Sequence, residues 1–229
     1  MNALLEAILG NDLTKVRTLL RADPGLAGQP VDQTHWCAPA IPHYLYAGDQ
    51  PLHLAAAGFR ADMVTELLAA GVDPNAAASR RKATPLHYAA DGAPTAPGWD
   101  EALQVLTMKR LLAAGARINA PDHGGATPLH RAVRCRCATA VKFLLAEGAE
   151  ATVQNHSGST PFHLAVQNTG KSGSGSAEAH QAQREIIAAF RAAGLSPELP
   201  DGQGRSVLDW AKSPLVRQWI LNPADPPAE

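Results

Sequence analysis

Apolar residues along this chain recur in short segments with helical spacing, interrupted at regular intervals by glycine, proline and polar turns. Residues 61–70 and 138–147 carry apolar side chains at i, i+3 and i+4, which predicts helices with one buried face. Such helices are too short to stand alone in water and must stack on neighbours. Ahead of them stand four related tetrads, Gln50-Pro51-Leu52-His53, Thr84-Pro85-Leu86-His87, Thr127-Pro128-Leu129-His130 and Thr160-Pro161-Phe162-His163. Each runs into alanine-rich sequence and ends, after Leu-Leu or a variant of it, at Gly71, Gly115, Gly148 or Gly194. A threonine followed by proline marks a helix start, because the hydroxyl accepts an orphan amide and proline sits where no donor is needed. The trailing glycine supplies a left-handed helix end. The pattern therefore predicts two short helices per repeat.

The spacing shows where the repeat departs from regularity. From each signature histidine to its own glycine the distance is 18, 28, 18 and 31 residues, so the second and fourth copies carry about 10 and 13 extra residues inside the helix pair. From each glycine to the next signature the distance is 16, 15 and 15 residues, and again 15 to Asp209 in Ser206-Val207-Leu208-Asp209. The connections between copies are thus regular. The tetrads resemble the Thr-Pro-Leu-His-x-Ala signature of the ankyrin repeat. That resemblance implies an all-α solenoid of helix-turn-helix repeats joined by β-hairpin-like fingers, and a concave face of fingers and first helices that binds partner proteins.

On this register the chain is one domain. It comprises N-terminal cap helices (1–24), a long loop (25–49), repeat 1 (50–82), repeat 2 (83–125, insertion 92–100), repeat 3 (126–158), repeat 4 (159–204, insertion 170–180), a C-terminal cap (205–221) and a tail (222–229) rich in proline and alanine. The first cap is expected to be a shortened helix pair turning at Gly10-Asn11-Asp12, and Trp210 and Trp219 are expected to cover the last layer. The second insertion, Lys-Ser-Gly-Ser-Gly-Ser followed by His180, has the composition of an exposed flexible linker. The two insertions form either a second binding edge or tolerated additions.

Composition fits this picture and narrows the function. The 229 residues are 45% hydrophobic but only 5% aromatic, and include 44 alanines and 26 leucines. The resemblance places Ala55, Ala56, Ala89, Ala90, Ala132 and Ala165 on the first helices, where small side chains let layers approach. The 20 basic and 21 acidic residues give a net charge of -1, so no global field attracts nucleic acid or an anionic membrane. No apolar run approaches a membrane span. Glu6 and Asp12 and the lack of a basic start argue against a signal peptide. Three cysteines are too few for a disulfide framework. A cytoplasmic, monomeric protein is expected.

Candidate chemistry is local. The resemblance implies that His53, His87, His130 and His163 are structural. It also puts Tyr46, Arg80, Arg81, His123 and His156 on the fingers, with His123 and His156 one layer apart, and Asp91 and Arg134 at the ends of first helices. Arg80-Arg81-Lys82 with Arg134 and Arg136 would make the middle of that face basic, and Lys82 stands where a glycine is usual. Arginine forks pair bidentately with carboxylates, so an acidic peptide is the partner this strip suits; the alternative is a solvated charge run.

The loop before repeat 1 concentrates Trp36, Tyr44 and Tyr46. It is either a binding finger anchored by Trp36 or Tyr44, or a hairpin that packs Trp36 against the first repeat. Within it, His35, Cys37 and His43 form the alternative reading of an enzyme or metalloprotein on the same scaffold. Neither they nor Cys135 and Cys137 have zinc-site spacing. No phosphate-loop, dinucleotide, metalloprotease or nucleophile-elbow motif occurs. The expectation is a non-catalytic partner-binding module with no cofactor and no metal.

Overall fold

The computed structural model describes residues 2–94, 99–168 and 175–222, and the tail from 223 onward, like the middle of each insertion, lies outside them. Among the described residues are twelve α-helices and one two-stranded hairpin. They fall into two compact units, residues 1–91 with 100–123, and residues 92–99 with 124–229.

In the first unit α1 (Ala3–Leu9), α3 (Pro51–Ala57) and α5 (Pro85–Ala90) form one row, and α2 (Leu13–Ala22), α4 (Ala61–Ala69) and α6 (Glu101–Ala113) form a second row behind it. The first cap is therefore a full helix pair and not a shortened one, with Leu4, Ile8, Val16 and Leu20 buried. In the second unit α7 (Pro128–Arg134), α9 (Pro161–Ala165) and α11 (Val207–Trp210) line up in the same way, backed by α8 (Ala138–Ala146), α10 (Ala177–Ala192) and α12 (Pro214–Leu221). The alanines Ala55, Ala56, Ala89, Ala90, Ala132 and Ala165 have no exposed surface, as expected of residues between closely stacked helices. At the far end Val207, Ala211, Val216 and Ile220 are the buried residues of the cap, while Trp210 and Trp219 are only half-buried. The Trp210 ring packs edge-on against His163 of repeat 4, 5.4 Å between centroids, and aliphatic residues supply the rest of the cover.

Signature histidines tie helix starts to the following finger, as His53 and His130 do with the two nitrogens of the ring. His53, His87 and His130 accept the backbone N–H of Gln50, Thr84 and Thr127 at Nδ1, over 3.0, 3.0 and 3.1 Å. On the other side of the ring the Nε2–H of His53 donates to the carbonyls of Ala76 and Ala83, that of His130 to Ser159, and that of His163 to Arg205. Proline at the first helical position completes the start.

Ahead of the C-terminal cap, the turn inside each helix pair takes one of two forms. In uninserted pairs it is tight and passes through a left-handed residue, Asn11, Phe59 or Arg136, whose neighbours' amides satisfy the last carbonyls of the first helix. In the two inserted repeats a buried glutamine replaces those amides. Gln104 Nε2 donates to the carbonyls of Ala89 and Ala90, and Gln183 Nε2 to those of Ala165 and Gln167. The insertions also lengthen the second helices. α6 and α10 have 13 and 16 residues against 9 for α4 and α8, and α10 already includes His180, which is half-buried on a helix and not exposed in a linker.

Candidate functional site

The long loop before repeat 1 folds as a 3-10 turn (Pro24–Gly28) followed by a hairpin of β1 (His35–Trp36) and β2 (Tyr44–Leu45), with His35 opposite Leu45 and Trp36 opposite Tyr44. Alternation along the strands sends its two faces in different directions. Cys37, Ile41 and Leu45 are buried against the first unit. Ile41 lies so close to Gly58, at the turn after α3, that a Cβ there would come within 2.5 Å of its Cδ1. Gly58 is thus the seat for the hairpin. The other face carries Trp36, 54% exposed, and Tyr44, 49% exposed, with ring centroids 4.6 Å apart. The loop is a packed hairpin, but aliphatic residues make the packing and Trp36 points outward instead of packing against the first repeat.

Polar groups fix the hairpin to the repeats. His43 lies against the Tyr88 ring, 4.7 Å between centroids, with Nε2 3.5 Å from Asp91 Oδ2 at the end of α5. Asp49, fully buried, accepts the Tyr46 amide at Oδ2 over 2.8 Å and the Tyr88 hydroxyl at the same oxygen. Its Oδ1 has no hydrogen-bond partner among the described residues and lies 4.0 Å from His53 Nε2. Burial, reinforced by the Asp49 charge, raises the Tyr88 phenol above its ordinary pKa, which keeps it a donor. Burial likewise holds His53 below the usual imidazole range. The hairpin thus lies on the end of α5, at Asp91, and on the turn after α3, at Gly58.

Beside the hairpin, Arg81 donates to the Tyr46 hydroxyl over 2.7 Å, and its guanidinium sits 4.7 Å from the Tyr46 ring centroid. Tyr46 in turn lies 6.0 Å from Tyr44. Arg81 and Tyr46 are therefore half-buried and partnered, whereas Arg80 is exposed and makes no side-chain hydrogen bond or ion pair among the described residues. Lys82 has φ 50, the left-handed position that Gly125, Gly158 and Gly204 occupy in the other fingers. His123 is exposed, and its amide donates to the Arg81 carbonyl.

In the second unit Arg134 and His156 are exposed, and the His156 amide donates to the Gly124 carbonyl. Arg136 leaves the basic strip: its guanidinium donates to the carbonyls of Ala165 and Gln167, closing the C-terminal end of α9, and burial lowers its pKa to about 10. Asp201 shapes the last finger. Although burial opposes its charge, the amides of Arg205 and Gln203, the Trp210 indole and the Arg205 side chain all donate to it and hold its carboxyl well below the usual range.

The metal reading finds no gathered ligands, since among the described residues no group of three His, Cys, Asp or Glu side chains could hold an ion. Cys37 is buried with its thiol pKa pushed up, and its Sγ faces the His35 carbonyl. Cys137 is packed under Gly92 and Trp99, where a Cβ on Gly92 would come within 2.5 Å of its sulfur. Asp49, Tyr88, Ile41 and Gly58 were not expected at the site. Asp49 carried a signal, for it stands two residues before the helical proline, where the other signatures have Ala83, Ala126, Ser159 and Arg205 ahead of the capping residue.

Paired helices in two rows, histidine-tied helix starts and stacked fingers define a helical repeat protein. Residues 47–79 match the family model described as ankyrin repeat, and residues 111–165 match the one described as ankyrin repeats (many copies). The fold is similar to that of an ankyrin repeat domain from Acinetobacter baumannii AYE, with 20% sequence identity, 96% of each chain covered and a TM-score of 0.69. The chain is an ankyrin-repeat protein. Ankyrin repeats generally serve as protein-protein interaction modules and are generally non-catalytic. No helix among the described residues is long and apolar enough to cross a membrane.

Proposed function

We propose that this chain is a non-catalytic module that binds an acidic segment of a partner protein. The residues that would meet it are Trp36, Tyr46, Arg80, Arg81 and His123 in the first unit; Arg134 and His156 are the corresponding candidates of the second unit, taken by itself. The observation that carries the reading is Arg80, a cation that is exposed and unpaired among the described residues and next in the chain to Arg81, whose guanidinium lies over the Tyr46 ring. An arginine fork without an internal partner matches a carboxylate, and aromatic residues supply apolar contact at little entropic cost. The fold supports this role because its surface is ordered before binding.

Affinity capture from extracts of the native host, comparing the intact chain with an Arg80→Glu variant, tests it. Arg81 is left unchanged because its contact with Tyr46 belongs to the fold. Loss of the captured partner with a melting temperature within a few degrees of the parent is the expected result. An unchanged captured set removes the acidic-partner reading.

A further inference from the structure

The outward face of the hairpin carries three aromatic rings in a row that ends at a cation. Trp36 and Tyr44 are cross-strand partners, Tyr46 follows on the same face as Tyr44, and Arg81 lies over the Tyr46 ring. This row is rigid from below, because Ile41 and Leu45 are buried and His43 is held between Tyr88 and Asp91. Its polar edges are open: among the described residues, neither the Trp36 indole N–H nor the Tyr44 hydroxyl makes a hydrogen bond.

We infer that the Trp36–Tyr44–Tyr46 row is a docking surface for an extended, proline-containing segment of a partner protein that carries an acidic residue beside its prolines. The row is a set of adjacent rings tilted against one another, by 45° between Trp36 and Tyr44 and 35° between Tyr44 and Tyr46, an aromatic lining of the kind on which proline-rich segments dock. A polyproline II segment suits it for three reasons. Its backbone is already extended and loses little entropy on docking. It advances about 3.1 Å per residue, so the 6.0 Å between Tyr44 and Tyr46 is spanned by about two residues. Its carbonyls have no internal donors and need the ones that Trp36 and Tyr44 present.

Charge complementarity sets the flank. Arg81 lies over the Tyr46 ring and gives one of its N–H groups to the Tyr46 hydroxyl, and Arg80, next along the finger, is exposed and gives none to another side chain, so the Tyr46 end of the row offers a carboxylate a positive flank. A short linear segment is therefore the occupant, not a folded surface.

This inference rests on the partner-binding reading and adds the peptide class. The test pans a displayed library of random peptides, roughly twelve residues long, on the full chain. Enriched peptides are then resynthesised with a fluorophore and titrated by anisotropy against the parent and the Trp36→Ala, Tyr44→Ala and Arg80→Glu variants. Expected are peptides with at least two closely spaced prolines and a neighbouring Asp or Glu. Their affinity should fall about ten-fold or more on Trp36→Ala or on replacing the prolines by alanine, with a smaller loss for Tyr44→Ala. Trp36 and Tyr44 are exposed, so both variants should melt with the parent.

Proline-rich peptides that answer to Trp36→Ala but not to Arg80→Glu would keep the docking row and overturn its acidic flank. Acidic peptides without proline that answer to Arg80→Glu but not to Trp36→Ala would overturn the docking row and leave the acidic-partner reading standing. Failure to enrich any peptide would overturn both.

Discussion

The first finger and the last finger each bury an aspartate, and they use it in opposite ways. Asp201 accepts hydrogen bonds from backbone and side-chain donors within its own turn and in the following helix, all between residues 201 and 210. Asp49 reaches a tyrosine on the next repeat, Tyr88, and leaves one oxygen without a partner. The last finger is therefore a self-contained turn, whereas the first is a longer excursion that must be fastened to helices 39 residues further along the chain. A local carboxylate cage closes a solenoid; a remote one holds an added element in place and lets that element carry an exposed aromatic face.

Removing the apolar seat should break this contrast most strongly. Ile41→Ala deletes a fully buried side chain from the hairpin and is expected to cost about 2–4 kcal/mol. Urea unfolding would measure the loss, and amide exchange should rise first at Val31, Cys37 and His43, whose backbone N–H groups bond within the loop. Equal protection in parent and variant would mean that the hairpin does not depend on this anchor. Tyr88→Phe takes one donor from the buried Asp49 carboxylate and is expected to cost about 1.5–3 kcal/mol. Chemical denaturation would read it as a lowered midpoint with unchanged slope.

Acid should separate the fingers by their groups. His53 and His163 have folded pKa values lowered first by burial, so the unfolded chain binds protons that the folded chain refuses. Their contribution is present above the ordinary histidine pKa of about 6.5 and is lost as pH falls below it. Asp201 has a lowered carboxyl pKa, so its contribution persists through that range and is lost only below about pH 3.9, the ordinary aspartate value. Thermal melts from pH 8 to 3 should show a first loss below about pH 6.5 and a further one in strong acid; a flat profile down to pH 4 would contradict the histidine assignment.

The smallest expected effect concerns Lys82, which holds φ 50 where Gly125, Gly158 and Gly204 stand in other fingers. Lys82→Gly relieves the left-handed strain but loosens the unfolded chain, so stability should rise by about 1 kcal/mol or less. A drop in melting temperature would show that the lysine side chain contributes contacts of its own.

Much of the architecture was legible because each repeat repeats its own local chemistry. Thr-Pro helix starts, glycine helix ends and the buried alanines all stand where the spacing put them. The reading failed where a residue acts through a distant one. Nothing near Gln104 or Gln183 in the sequence says that these side chains finish the preceding helix, 14 to 18 residues back. Arg136 reads as part of a basic strip until its guanidinium is seen against the carbonyls at the end of α9. The sequence leaves open whether Trp36 packs against the first repeat or anchors a binding finger, and only the burial of Ile41 and Leu45 shows that the indole is left outside.

The sequence by itself determined the repeat, its two helices and its stacking on small side chains, because caps, turns and periodicity depend on neighbours a few residues away. Only the tertiary structure decided which face of the long loop is buried, which arginines are already engaged, and that a carboxylate in the first finger is satisfied by a tyrosine of the second repeat. Those outcomes depend on which distant groups compete for the same buried space and the same hydrogen bonds, and that competition is settled only when the layers close.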